Sequence, residues 1–392
     1  EPSKVSEILD EFLNSDKDLI STSTGLISHK NGIDGEIRIG LGSCCIASGS
    51  SDVKAELEKS LKANNTNVDV KQVGCVGICN QVPLLEIHKN GESPYYYTKI
   101  KSTEVNDIIR KHFRSRNPFT RIKTDISGII DNYIINGIPK SVKKYSSENS
   151  DTPVAEFLKG QINIATEHRG AIKPDDLDEY QKLEGFEALR SCLNNNPDEI
   201  INTIKKSGLR GRGGGGFPSG QKWELVKNTN SDQKYVICNG DEGDPGAFMD
   251  RMLLESYPFR VIEGLIIAAY SVGANTGLFY VRAEYPLAVK RIKEALYYCE
   301  KANILGDNIM NSGFSFSLSI FEGAGAFICG EETALIASVE GNRGLPKMRP
   351  PYPAVSGLWG KPTLINNTET FSLVPWIIRN GAKAFADIGT QY

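Results

Sequence analysis

The chain has 392 residues, of which 40% are hydrophobic and 24% are charged, and its formal net charge is −3. This length is enough for roughly two or three domains, and the balanced charge excludes the strongly basic surface that nucleic-acid-binding proteins carry. The longest apolar stretch, at 265–270, is far shorter than the ~20 residues that span a membrane, and no signal-peptide pattern opens the chain. The composition therefore predicts a cytoplasmic protein with no nucleic-acid partner and no direct membrane insertion.

The first part of the chain is predicted to contain one short helix and one compact domain. Apolar residues recur at helical spacing between Val5 and Leu13, so residues 1–35 are interpreted as a docking helix and its connector. Residues 36–113 alternate strand and helix patterns and are interpreted as an α/β domain. Its clearest segments are a helix at 52–63 and strands at 68–73, 84–88 and 95–100.

Four of the eight cysteines of the chain lie in two loops of this domain. Cys44 and Cys45 are adjacent, whereas Cys75 and Cys79 form a second pair farther along the chain. In a reducing compartment, such a group of cysteines indicates metal binding rather than cross-linking. The other four are scattered singly and are predicted to be small buried hydrophobic residues: Cys192, Cys238, Cys299 and Cys329.

The second part of the chain is predicted to be one larger α/β domain that follows a linker. Residues 114–160 are rich in Ser, Lys, Asn and Asp without a sustained period, which is typical of a partly ordered linker. Residues 161–392 alternate helix and strand patterns, which predicts a sheet with crossover helices. The main segments are helices at 197–206, 248–272 and 286–302 and strands at 235–238, 278–281 and 316–321.

The densest run of glycines in this domain lies between Gly208 and Trp223. Glycines let the backbone approach a ligand closely, and successive N–H groups form a nest for an anion such as phosphate. The run contains the spacing G-x-G-x-x-G, but it follows a helical pattern rather than a strand, which excludes the usual dinucleotide-binding motif. A flexible Gly-rich hinge is the structural alternative.

A second segment, at 238–248, combines three acids with glycines directly after an apolar strand pattern. Open α/β sheets bind ligands at the carboxyl ends of their strands, so Asp241, Glu242 and Asp244 are candidates for polar contacts to ribose or flavin. A Ca²⁺-binding or merely solvated acidic turn is the alternative.

A third segment, at 322–333, is a Gly-rich turn that opens a helix with Glu331 and Glu332. Acids in a first turn favour the helix dipole, so capping is a sufficient explanation for one of the two. A fourth segment at 347–353 and a fifth at 363–370 add cationic, aromatic and amide groups. Ordinary loop and helix-start chemistry is the alternative for both.

In this order and spacing the five segments resemble the NADH-oxidising flavoprotein family. That family includes the flavin subunit of respiratory complex I, the β subunits of electron-bifurcating and NAD-linked hydrogenases, and the diaphorase subunits of some formate dehydrogenases. The resemblance covers about residues 161–390 and implies a Rossmann-like FMN- and NADH-binding domain. Residues 36–113 resemble the thioredoxin-like [2Fe-2S] ferredoxin domain fused to many hydrogenase β subunits, so the predicted fold is α/β in both parts.

The resemblance to the flavoprotein family also assigns cofactor-binding residues. Around FMN it implies Gly211, Arg212, Gly213, Lys222, Asn239, Asp241, Glu242, Gly330, Glu331, Asn366, Asn367 and Thr368. Around NADH it implies Phe217, Asp244, Phe327, Glu332, Arg349 and Tyr352, with Phe327 at a position where tyrosine is usual. No catalytic acid, base or nucleophile is implied, because the cofactors carry the chemistry.

For the ferredoxin-like domain the resemblance implies a [2Fe-2S] cluster held by thiolates. In that family the first pair is spaced Cys-x4-Cys, which places Gly40 at a ligand position. With Gly40 unable to ligate, the fourth position is Cys44, another group or empty, and the predicted ligand set is Cys44, Cys45, Cys75 and Cys79. The alternative is a domain that has lost its cluster and serves only for docking.

The function implied is that of an NADH:acceptor oxidoreductase subunit, namely a flavin-dependent NADH dehydrogenase of the diaphorase type. It would pass electrons between NAD(H), FMN and iron-sulfur clusters within a multisubunit complex, because flavin exchanges electrons in pairs and singly. The partners implied are a thioredoxin-like iron-sulfur subunit and a larger terminal iron-sulfur enzyme of the hydrogenase or formate dehydrogenase type. Asp241, Glu242 and Glu332 are further expected to disfavour the additional phosphate of NADPH. A non-catalytic scaffold subunit with the same fold is the alternative.

Overall fold

A computed structural model describes residues 33–113, 143–146 and 161–389. These residues divide into two units by their contacts. The first runs to Ile162 and also includes His168–Ile172, and the second contains Asn163–Glu167 and the chain from Lys173 onward. The predicted docking helix and most of the predicted linker lie outside the described residues. In the parts that are described, no helix combines the length and apolarity needed to cross a bilayer.

The first unit is built on one five-stranded sheet with the order β2-β1-β3-β4-β5. β1 and β2 are parallel, and the other neighbouring strands are antiparallel. The last strand falls within the stretch predicted as a linker. The strands are β1 (Gly35–Gly40), β2 (Val68–Val73), β3 (Leu84–Lys89), β4 (Tyr95–Thr98) and β5 (Lys143–Ser146), and the helices are Ser43–Ala47, Ser50–Ala63 and Val105–His112.

Alternation along the strands gives this sheet one apolar face. Ile37 and Ile39 on β1 and Leu85 and Ile87 on β3 are fully buried, and they form one core with residues of the two longer helices. The residues between them point to the opposite face, where Arg38 is also buried. This second face of the sheet therefore carries a charged side chain that is shielded from water.

The second unit is built on a four-stranded parallel sheet with the order β8-β7-β6-β9. The chain adds β7 and β8 on one side of β6 and then returns to place β9 on the other side. The direction of strand addition therefore reverses between β6 and β9, and open α/β sheets hold ligands at the carboxyl ends of the strands at such a point. The strands are β6 (Tyr235–Gly240), β7 (Thr276–Arg282), β8 (Ser317–Gly323) and β9 (Thr363–Asn367).

Helices connect and cover these strands, which confirms the predicted α/β class. The apolar stretch at 265–270 lies in a helix that is buried almost all round. It packs against the helix that follows β9 so closely that a Cβ added to Gly264 would stand 2.0 Å from the carbonyl oxygen of Phe371. The helices are Leu177–Lys182, Glu187–Leu193, Pro197–Lys206, Ser219–Asn228, Met249–Ser256, Pro258–Val272, Pro286–Lys301, Glu332–Val339, Thr368–Asn380 and Ala382–Ala386.

The structure also tests three smaller expectations. The Gly-rich run follows the helix Pro197–Lys206, as predicted, and not a strand. The four scattered cysteines are buried, as predicted, and no disulfide bond joins any of the eight cysteines, all of which lie in the described ranges. The loop alternative for the fifth segment is wrong for its first part, because Thr363–Asn367 is a buried strand at the edge of the sheet. Its register with β6 identifies it as part of the parallel sheet.

Candidate functional site

Four cysteines of the first unit gather where two neighbouring strands end. β1 leads into the helix Ser43–Ala47, which carries Cys44 and Cys45, and β2 leads into the loop that carries Cys75 and Cys79. Because β1 and β2 are adjacent and parallel, their carboxyl ends lie side by side. The fold thus brings all four predicted ligands together.

The thiols of this group interact directly. The Cys79 thiol lies within hydrogen-bonding range of the thiols of Cys44 and Cys75, and Cys45 acts electrostatically on Cys75. Burial, together with the charges of Cys75 and Cys44, raises the pKa of Cys79 to about 11. Burial also raises the pKa of Cys75. Each thiolate in the group makes deprotonation of the neighbouring thiols less favourable. A bound metal cation would offset this effect, because it stabilises deprotonated ligands.

Gly40, at the ligand position implied by the resemblance, lies against this group. A Cβ added to Gly40 would stand 3.3 Å from Cys45 Sγ. A cysteine at this position would therefore place its sulfur beside the other thiols. This chain lacks that side chain, and Cys44 approaches Cys79 from the neighbouring helix instead.

The number and type of donors in the cysteine group can be compared with those that a [2Fe-2S] cluster needs. Over the described ranges, which include every cysteine of the chain, no three His, Cys, Asp or Glu side chains are placed to hold a single metal ion. A [2Fe-2S] cluster needs no such convergence, because its four thiolates are shared between two irons. The cysteine group therefore fits a [2Fe-2S] cluster in donor type and number.

In the second unit, predicted site residues gather where the strand order reverses. Asn239 on β6 stands opposite Asn367 on β9, and the hydroxyl of Thr368 donates to the carbonyl oxygen of Asn239 at 3.2 Å. The two strand ends are therefore tied together at the edge where ligands bind. The predicted residues at or just beyond these ends are Asn239, Asp241, Glu242, Asn366, Asn367 and Thr368.

The Gly-rich run forms a loop whose central glycines face open space. Its two ends are joined by a hydrogen bond of 2.8 Å from the backbone N–H of Ser219 to the carbonyl oxygen of Leu209. Gly214 and Gly216 have φ values of +95° and +61°, which only glycine adopts without strain. A Cβ added at Gly214, Gly215 or Gly216 would meet no protein atom within 4 Å. This loop is the kind of backbone concavity that holds an anion.

Two contacts attach this loop to the end of β9 and the helix that follows. The backbone N–H of Arg212 donates to the hydroxyl of Thr370 at 2.9 Å. A Cβ added to Gly213 would stand 3.3 Å from the Cβ of Asn367. The open loop therefore lies beside the point where the strand order reverses, as a phosphate cradle for a ligand at that point requires.

The third and fourth segments reach the same place. The side-chain amide of Asn239 donates to the carbonyl oxygen of Gly330 at 2.9 Å. Glu331 caps the helix Glu332–Val339, as the capping alternative predicted, and Arg349 donates to its other carboxylate oxygen at 2.9 Å. All five segments are thereby linked through hydrogen bonds or close contacts.

The carboxylate of Glu332 lies between two cations. Lys222 donates to Glu332 and, at 2.9 Å, to the carbonyl oxygen of Ile365, and Arg349 Nη1 is 3.6 Å from Glu332 Oε2. Lys222 is thus engaged with the protein itself. Because both cations offset the charge of Glu332, its expected repulsion of the additional NADPH phosphate is weaker than that of an isolated carboxylate.

Two buried oxygens at this edge suit a ligand that donates hydrogen bonds. Asp241 Oδ2 and Asn366 Oδ1 accept no hydrogen bond from any described residue. Burial raises the pKa of Asp241 against the opposing effect of Arg282, whose Nη1 is 3.1 Å from the other carboxylate oxygen. A buried acceptor without a donor is costly. The hydroxyls and ring N–H of FMN are such donors, so the residues present fit this cofactor.

The three aromatic residues predicted to contact NADH are exposed. Phe217, Phe327 and Tyr352 expose 47%, 64% and 58% of their surface, so their ring faces are open to a ligand. Phe327 lies near the acidic segment, 2.8 Å from the position of a Cβ on Gly243. Within the described ranges, no hydrogen bond joins the side chain of Asp244 or Tyr352 to the residues at the ends of β6 and β9, and Phe217 has no side-chain group that could form one. Their contact with NADH stays a prediction.

Two charged residues at this edge are absent from the predicted set. Arg282 is the last residue of β7 and pairs with Asp241, so the rule that ligands bind at carboxyl ends of strands could have indicated it. Asp250 is 6% exposed and accepts a hydrogen bond of 2.6 Å from the amide of Asn367. Burial, reinforced by the charge of Glu242, raises the pKa of Asp250 well above its usual range. No sequence signal distinguishes it from an ordinary helix-start acid.

Two family models match the chain. Residues 204–376 match the Nuo51 FMN-binding domain, and residues 27–112 match the thioredoxin-like [2Fe-2S] ferredoxin. The first match spans all five segments, and the second spans all four clustered cysteines.

Curated relatives agree with the family models. The HndC protein of the NADP-reducing hydrogenase of Solidesulfovibrio fructosivorans is 52% identical over 59% of this chain and 47% of its own length. A component of the NADH-quinone oxidoreductase of Aquifex aeolicus is 49% identical over 59% of this chain and 54% of its own length. The alpha subunit of the NAD-reducing hydrogenase HoxS of Cupriavidus necator is 36% identical over 81% of this chain and 47% of its own.

This chain spans about half the length of each of these three relatives. The matches and the arrangement of the site residues confirm the family resemblance predicted from the sequence. Over residues 204–376 the chain is thus similar to the Nuo51 FMN-binding domain, and over residues 27–112 it is similar to the thioredoxin-like [2Fe-2S] ferredoxin.

Proposed function

We propose that this chain is an NADH:acceptor oxidoreductase subunit that passes electrons between NAD(H), FMN and a [2Fe-2S] cluster. One observation carries the proposal: five segments far apart in sequence converge where the strand order reverses, beside an open Gly-rich loop and two buried oxygens without donors. A non-catalytic scaffold would gain nothing from buried acceptors that lack donors, because each costs folding free energy.

The protein residues would hold FMN through the Gly-rich loop and two buried oxygens. The backbone of the Gly-rich loop would cradle the phosphate, and the oxygens of Asp241 and Asn366 would accept hydrogen bonds from the cofactor. Arg282 balances the charge of Asp241, and Asp250 fixes the orientation of the Asn367 amide. Bound FMN would supply the exchange between hydride and single electrons. The protein contributes binding, orientation and electrostatics.

The exposed aromatic rings would position the nicotinamide nucleotide. Phe217 and Tyr352 present open ring faces, and stacking on such faces orients a planar ring. The names of the relatives specify different nucleotides, NADP for HndC and NADH or NAD for the other two. We infer that this chain uses NADH rather than NADPH, because the site contains several acids that would repel an additional phosphate. Arg349, a predicted contact of the nucleotide, is already paired with Glu331.

The cysteine group would hold the cluster through Cys44, Cys45, Cys75 and Cys79. The relatives are named as subunits of larger enzymes, so we propose a thioredoxin-like iron-sulfur subunit and a larger iron-sulfur enzyme as partners. We propose a terminal enzyme of the hydrogenase type, because HndC has an identity of 52% and the match to the HoxS alpha subunit covers 81% of this chain.

Cofactor analysis of the full chain tests this proposal. Protein reconstituted anaerobically with FMN, iron and sulfide is expected to retain about one FMN and about two irons per chain after desalting. Riboflavin, which lacks the phosphate, serves as the matched control and should be retained far less, because the Gly-rich loop binds the anion. Protein that retains neither FMN nor iron would contradict the proposal.

A further inference from the structure

The charged face of the first unit's sheet places an arginine beside the cysteine group. Arg38 lies on β1, is only 5% exposed and stands opposite Glu86 on β3. Both residues line one cavity together with Cys45, Cys75 and Cys79. Charges interact more strongly when water is excluded, so these side chains act on any charge that the cysteines hold.

Arg38 is fixed in this position by two neighbours. Its Nε lies 2.5 Å from Oε1 of Glu36, and its Nη1 donates to the carbonyl oxygen of Gly170 at 3.3 Å. An arginine side chain keeps its charge in proteins. The cavity wall therefore contains a permanent cation with limited freedom to move.

Glu86 places an opposing charge on the same wall. Its Oε1 is 2.9 Å from Nε2 of His88 and accepts a hydrogen bond of 3.1 Å from the hydroxyl of Tyr96. Burial acts to raise the pKa of Glu86, but the hydrogen bond and charge of His88 and the charge of Arg38 outweigh it and leave the pKa below its usual range. Glu86 is therefore an anion at neutral pH.

We propose that Arg38 and Glu86 set the reduction potential of the iron-sulfur cluster in opposite directions. Reduction adds one electron and one negative charge, which a buried cation favours and a buried anion disfavours. Arg38 and Glu86 exchange no electron or proton in this step. The inference rests on the proposed function, in that Cys44, Cys45, Cys75 and Cys79 must hold the cluster.

The test is a redox titration of the reconstituted full chain, followed by electron paramagnetic resonance of the reduced cluster. Arg38→Met is expected to make reduction about tenfold less favourable, which lowers the midpoint potential by about 59 mV. Glu86→Gln is expected to raise the midpoint potential by a similar amount, because it removes the opposing charge. Arg38→Lys keeps the cation, so its midpoint potential should be close to the wild-type value.

Arg110, which is exposed on the helix Val105–His112, provides the matched control. Arg110→Met should leave the midpoint potential unchanged, because water screens its charge. A cluster that assembles in both Arg38→Met and Glu86→Gln with the wild-type potential overturns this inference and leaves the proposed function intact. A wild-type chain that binds FMN but assembles no cluster overturns this inference and the iron-sulfur part of the proposed function. If Arg38→Met fails to fold, the shift in Glu86→Gln decides.

Discussion

Replacing Cys75 with serine is expected to remove the iron-sulfur cluster from the full chain while leaving its FMN content unchanged. The thiol of Cys75 interacts with those of Cys44, Cys45 and Cys79, so its loss breaks the group at its centre. A serine hydroxyl is a poor iron ligand because it remains protonated at neutral pH. Iron and sulfide analysis, with electron paramagnetic resonance of the reduced protein, measures the loss.

Cys299→Ser is the matched control for this substitution. Cys299 is buried on the helix Pro286–Lys301 in the second unit and is none of the four predicted ligands. The control should retain iron at the wild-type level. A wild-type iron-sulfur signal in Cys75→Ser would show that this cysteine is not a ligand, and the cysteine group would then be a feature of a docking module.

Replacing Gly215 with valine is expected to abolish FMN binding without unfolding the protein. A side chain at this position meets no protein atom within 4 Å, and Gly215 is not in the left-handed backbone region. Valine would therefore fill the open loop that we propose for the phosphate. We expect the Kd for FMN to rise at least ~100-fold, which is ~2.7 kcal/mol of binding free energy. Quenching of flavin fluorescence measures this affinity.

Gly389→Val controls for the added side chain, because a Cβ on Gly389 makes only an ordinary contact of 3.6 Å at the end of the helix Ala382–Ala386. Both variants should unfold at the wild-type temperature, and only Gly215→Val should lose FMN. An unchanged affinity for FMN in Gly215→Val would show that the phosphate does not bind in the Gly-rich loop.

Local signals explain which elements could be predicted from the sequence. The strand Val68–Val73 and the helix Pro197–Lys206 have the predicted bounds. The strand lies between turn residues, and the helix begins with Asn196 as its N-cap and a proline in its first turn. The strand Lys143–Ser146 was missed, because its residues lack the apolar alternation that indicates a strand. The strand Thr363–Asn367 was missed because it leads into a helix without an intervening turn.

The sequence could predict which residues form the candidate site, but it could not predict which of their charges are paired. The family resemblance identified the segments, and the carboxyl ends of parallel strands explain why they meet. The pairing of Glu332 with Lys222, which lies on a separate helix, depends on tertiary packing alone. The sequence therefore predicts repulsion of NADPH by isolated acids, whereas the structure shows that Lys222 offsets the charge of Glu332.

The most direct test of the central claim is the anaerobic addition of one equivalent of NADH to the full chain reconstituted with FMN, iron and sulfide. We predict that the absorption band of oxidised flavin is lost and that the electron paramagnetic resonance signal of the reduced cluster then develops, because hydride is converted to single electrons at the flavin. An FMN-loaded chain whose flavin band is unchanged by NADH would contradict the account.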